Sequence, residues 1–260
     1  MASNLWQNHS YLNKNITHIL SSYISEYDIA KANIHVLYEA GVITKEQFDY
    51  LYNADRMTRQ ITIGNMIKKN RNVYTIIQNG IIEAKKKLFI ANEIQDYDVL
   101  SIKNDAVFII GSKLKYTKFG PFEFKPKHQY AAYMMIDKIE FYYDKKNRSI
   151  TVKGVRDEVV NDPDHQKGIV QFFLKIFKYL VMDQRQDLWN FLIDFVRQYK
   201  AKELPFYYYK EFNGDNIYRT IIELAGFEYN LTEIGEDDLD IINPIYNYTR
   251  YILPIIRMFM

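Results

Sequence analysis

At 260 residues the chain can bury a substantial core, as one large domain or two small ones. Its 48% apolar and 25% charged composition argues against disorder over the bulk of the chain, and the absence of cysteine removes disulfides, thiolate nucleophiles and cysteine-based zinc sites. Net charge is only +2, but Arg56 to Lys127 holds 14 Lys or Arg against 6 acids, and that excess points to an anionic partner.

The opening "MASNLWQNHSYLNKNITHIL" has neither the basic start nor the continuous apolar core of a secretory signal, which predicts a cytoplasmic protein. Tyr23, Ile24 and Tyr27 predict a short strand ending at Asp28. "AKANIHVLYEAG" then places Ala32, Val36, Leu37 and Ala40 at helical spacing and stops at Gly41. "TKEQ", Thr44 to Gln47, is a capping-box pattern that starts a second helix. His35 is read as a surface or core histidine rather than a metal ligand.

Residues 56–71, "RMTRQITIGNMIKKNR", carry Arg56, Arg59, Lys68, Lys69 and Arg71 and no acid, a candidate phosphate-binding stretch. "VYTIIQNGIIEAKKKLFIANEI" predicts a long helix with Ile77, Ile81, Ala84 and Leu88 on one face, weakened by Gly80. "SIKNDAVFII", residues 101–110, predicts two apolar strands around a Lys103-Asn104-Asp105 corner. Two readings of Asp105 stand: simple turn chemistry, or a metal-binding carboxylate at a hairpin tip.

Downstream, "PFEFKPKHQYAAYMMIDKIEFYYDKKNRSITVKGV" alternates and is rich in aromatic and β-branched residues, predicting antiparallel strands turned at "DKKNRS". Gly168 to Lys200 predicts amphipathic helix broken near "MDQRQD". "GIVQFFLKIFKYLVM" is interrupted by Gln171, Lys175 and Lys178 and is too short to span a bilayer, so no membrane partner is expected. "DPDH" (162–165) is read as a turn and "PFYYYKEF" (205–212) as aromatic packing, while the terminal "YILPIIRMFM" is apolar enough to meet a protein partner. The order strand, helices, hairpin, strands, helices predicts an α+β fold. Residues 1–160 would form an antiparallel sheet with helices on one face, and residues 161–260 a helical region that is thumb-like or serves docking.

Asp28 at a strand end before a helix, and Asp105 at a hairpin tip one long helix later, form the pattern that points to chemistry. Phosphoryl-transfer enzymes converge carboxylates on divalent metals, which stabilise both attacking and leaving oxygens. Over residues 23–160 the arrangement resembles the palm domain of template-dependent DNA polymerases, most like family B, in a reduced form of viral or phage type. "YDIAKANIHVL" resembles the first palm motif, and "SIKNDAVFI" with its preceding helix resembles the acidic hairpin. "KPKHQYAAYM" and "ITVKGVRDEV" resemble the Lys/Tyr and Lys-Gly segments that touch the primer.

The resemblance implies that Asp28 and Asp105 are catalytic and hold Mg²⁺, and that Lys127, Tyr130 and Lys153 face nucleic-acid backbone. Position 103 is Lys where that family's hairpin carries a second acid, and the usual fingers motif is absent. The expected function is therefore polymerase-related binding of primer–template or single-stranded DNA, with Mg²⁺-dependent nucleotidyl transfer if the site is active. The alternative is a non-enzymatic viral structural or interaction protein, either a virion component or an inhibitor of a host enzyme.

Overall fold

The computed structural model describes residues 3–20, 23–111, 113–136, 139–154 and 163–209. The apolar tail, the acidic stretch 233–244, residues 210–212 of the Tyr-rich segment and the far end of the Lys-Gly segment lie outside the described residues, as does Asp162 of "DPDH". The architecture is α+β, with two sheets and helices packed on them, and no described helix is long and apolar enough to cross a membrane. The chain forms two compact units: residues 1–14 with 23–129, and residues 15–22 with 130–260.

In the first unit the strands are β1 (Ser10–Leu12), β3 (Ile24–Ile29), β4 (Val99–Lys103), β5 (Ala106–Ile110), β6 (Lys118–Phe119) and β7 (Phe122–Tyr130). Their order across the sheet is β1-β4-β5-β3-β7-β6. Helices α1 (Ala32–Glu39), α2 (Lys45–Asn53), α3 (Arg56–Lys69) and α4 (Asn72–Ala91) lie between β3 and β4 in the chain. Alternation of side chains along a strand divides the sheet into two faces. Tyr27, Ile29, Ile102, Val107 and Ile109 point into a core shared with Ile34, Leu37, Ile77, Ile81 and Leu88 of the helices.

Local signals set the helix ends. Thr44 accepts from the Gln47 amide while the Gln47 side chain caps the Thr44 amide, the expected capping box. Asp55 caps α3 through the Thr58 amide. Gly80 does not break α4. A Cβ there would collide with Val36, so glycine allows α1 to cross α4 at close range.

The second unit holds a four-stranded sheet ordered β10-β9-β8-β2: β2 (His18–Ile19), β8 (Ala132–Ile136), β9 (Ile139–Asp144) and β10 (Ser149–Lys153). Met134, Phe141 and Val152 stand side by side on one face, by register. They pack on α5 (Pro163–Val181) and α6 (Arg185–Ala201), with Phe141 stacked on Phe173 at 4.1 Å between ring centres. The helical break expected near "MDQRQD" falls between these helices, with Asp183 at φ 52. The strands after residue 130 thus share a core with the later helices. The expected division at residue 160 itself lies outside the described residues.

Candidate functional site

β3 and β5 run antiparallel with Asp28 opposite Ala106 and Glu26 opposite Phe108. β5 also pairs β4, with Lys103 opposite Ala106. Only two residues, Asn104 and Asp105, are left to turn the hairpin, and Asn104 takes φ 54, a left-handed value that asparagine accepts more readily than most residues. The Asn104 amide donates to the His9 carbonyl at 2.7 Å, tying the hairpin tip to the N-terminal segment. Because Ala106 follows the turn directly and stands opposite Asp28, Asp105 emerges beside the end of β3.

Residues 77 apart in the chain therefore meet: the Asp105 carboxyl lies near enough to Asp28 to feel its charge. Burial, and then the neighbouring Asp28 charge, push the Asp105 carboxyl up to about 6. Two like charges cannot both ionise cheaply at this separation without a cation.

Two ammonium groups serve this corner. Lys127 on β7 lies 3.5 Å from Asp28 Oδ2 and 3.6 Å from Glu26 Oε1. Glu26 is only 2% exposed, while Lys127 and Asp28 remain in contact with solvent. Lys85 on α4 is fully buried and donates to the Asn8 carbonyl. Burial pulls its ammonium down to about 8, and the Asp105 charge opposes that shift.

The acids that the sequence pointed to are thus brought together, but the basic residues are dispersed. Arg56 is exposed at the start of α3, and Lys68 and Lys69 are exposed at its end. Twelve residues of helix separate Arg56 from Lys68, about 18 Å at 1.5 Å per residue. Arg71 is exposed at the start of α4. Arg59 is half-buried and spends its guanidinium on the Ala54 carbonyl at 2.6 Å. His35 is half-buried and packs edge-on against Phe48, Tyr52 and Phe122.

Tyr130 requires a correction. It was expected to face nucleic-acid backbone, but it is 2% exposed and packs on Tyr142 with ring centres 4.9 Å apart. A strand ending in a large aromatic residue gains more from covering that ring than from presenting it. Lys153, in the second unit, stands opposite Glu140 on the β9–β10 pleat and is half-buried.

Two residues of the corner escaped the sequence reading. Glu26 and Asp28 are spaced by two on a strand, which alone puts both on one face. Lys85 follows Ile81 by four on the apolar stripe of α4, a position that predicts burial.

Oxygen donors suit a hard divalent cation, and two carboxylates completed by water or phosphate suffice for Mg²⁺. Among the described residues no group of three or more His, Asp or Glu side chains is placed to hold a metal. Asp28 and Asp105 would be the ligands, and Glu26 instead anchors Lys127.

The fold and site describe an α+β protein in which a hairpin-tip carboxylate, Asp105, stands beside Asp28 of the neighbouring strand. The whole chain, residues 1–260, matches the family described as Bacteriophage PBS1 gene 130 protein and belongs to it. No curated protein and no solved structure matches the chain.

Proposed function

We propose that this phage-family protein binds a divalent cation, Mg²⁺ in the cell, between Asp28 and Asp105, and through it engages the phosphates of DNA as primer–template or single strand. The observation that carries the reading is the meeting of Asp28 and Asp105 at the junction of β3 with the β4–β5 hairpin. A half-buried carboxylate pair beside exposed solvent costs free energy in the empty protein and is relieved by a cation. Nucleotidyl transfer is the reaction class that such a site serves, the metal supplying electrostatic stabilisation of the transferring phosphoryl group. Exposed Arg56, Lys68, Lys69 and Arg71 supply further phosphate contacts, and neutralising phosphates makes such binding salt-dependent.

Mn²⁺ binding, followed by titration calorimetry, tests the site directly. Asp28→Asn and Asp105→Asn should each weaken it by roughly tenfold or more, since each removes one of two charged ligands. A wild-type protein that does not bind Mn²⁺, or variants that bind it equally well, would overturn the proposal. Labelled primer–template titrated at two salt concentrations tests the second half, and an affinity indifferent to salt would defeat it. Incorporation of nucleotide by the wild type but by neither variant would establish transfer.

A second reading has one observation in its favour. With two carboxylates rather than three, and Lys127 already seated on Asp28, the site is better provided for holding phosphate than for turnover. Metal-dependent DNA binding without incorporation is the result that would select it.

A further inference from the structure

Lys127 is placed differently from the other exposed lysines of the first unit. Its ammonium lies between two carboxylates on one strand, 3.6 Å from Glu26 and 3.5 Å from Asp28. Alternation puts Glu26 and Asp28 on the same face of β3, and β7 is the next strand of the sheet, so the lysine reaches sideways along that face. Glu26 has only 3% of its side-chain surface exposed, so it is held in place, whereas half of the Lys127 side chain is open to solvent. One end of the contact is rigid and the other can leave.

We infer that Lys127 is a positioning residue that occupies the cation's place at Asp28 in the metal-free protein and is handed to nucleic-acid phosphate when a divalent ion enters. This deepens the metal-site reading and rests on it. An ammonium and a divalent ion compete for Asp28 because each lowers the free energy of the same negative charge. Arrival of the ion makes the old position of Lys127 repulsive, and the long flexible side chain can swing from Asp28 toward solvent. A phosphate bridged to the ion is the nearest new anion. Metal and nucleic acid are therefore coupled through one side chain, and linkage requires each to increase the affinity of the other. Glu26 remains as the resting contact and keeps the lysine near the site.

The test uses the full chain with Mn²⁺ alone and with a labelled single-stranded oligonucleotide, each measured for wild type and Lys127→Met. Lys127→Met should bind Mn²⁺ roughly twofold to fivefold more tightly, the range that an exposed ion pair supports. In chelator its oligonucleotide affinity should fall less than it does with metal, because Lys127 is then occupied by the acids. In saturating Mn²⁺ its affinity should fall below wild type by a similar factor.

Equal or weaker Mn²⁺ binding by Lys127→Met overturns the inference. So does an equal loss of oligonucleotide affinity with and without metal, which would make Lys127 an ordinary phosphate contact. Failure of the wild type to bind Mn²⁺ is a different result and removes the metal site itself.

Discussion

The Asp105 corner of the first unit and the Glu140 position of the second place carboxylates in opposite circumstances. Asp105 is half-buried beside another acid, and its carboxyl is pushed up to about 6 by burial and by Asp28. Glu140 is fully buried, accepts a hydrogen bond from the Tyr142 hydroxyl at 2.6 Å, and lies close enough to Tyr133 to help burial raise that phenol. Tyr142 and Tyr133 pack across β8 and β9 with ring centres 5.0 Å apart and planes tilted by 51°, and both neighbour the second carboxylate. A carboxylate given a donor and closed off is structural, whereas one placed beside a second acid and left open to solvent is where the proposed cation would be tested.

The largest expected effect that separates the two regions is a pH dependence. Cation binding between Asp28 and Asp105 must displace the Asp105 proton, so Mn²⁺ affinity should fall about tenfold per pH unit below pH 6 and level off above it. Calorimetric titrations at pH 5 and pH 7 check this, and a flat profile would show that the pair does not bind the ion.

Next in size is Tyr142→Phe, which keeps the ring and removes the donor to Glu140. It should lower stability in urea unfolding by about 2 kcal/mol, the worth of a hydrogen bond to a charged group, and leave Mn²⁺ affinity unchanged. An unaltered midpoint would mean that Glu140 is held by other contacts.

The smallest effect has the opposite sign. Asp105 has a folded pKa raised from 3.8 to about 6, so its ionisation costs stability that is absent below pH 3.8 and fully present above about 6. Asp105→Asn should therefore stabilise the protein at pH 7, and the gain should vanish near pH 4. The shift corresponds to about 3 kcal/mol, and screening at a half-exposed site reduces the expected gain to about 1 kcal/mol. Equal unfolding midpoints for wild type and variant at pH 7 would contradict the strain assigned to the pair.

Much of this was legible before the fold was known, where the signal was local. The Thr44–Gln47 capping box, the corner around Asn104 and Asp105 and the break near Asp183 all depend on residues within a few positions of one another. The same holds for Asp28 at the end of β3. Lys85 and Glu26 carried weaker signals, a position on an apolar stripe and a spacing of two, which place a side chain on a face without naming its partner. Tyr130 misled because its motif context pointed to a surface role, while burial against Tyr142 depends on a strand later in the chain.

Sequence alone determined the α+β order of elements, the hairpin and the strand-end position of Asp28, because hydrogen-bonded turns, caps and side-chain periodicity are set by near neighbours. Only the tertiary structure decided that Asp105 meets Asp28 and that Lys127 rests on Glu26 and Asp28. It also decided that the strands after residue 130 pack with α5 and α6. Those outcomes depend on strand order and register between distant segments, where the burial of whole faces outweighs any local preference.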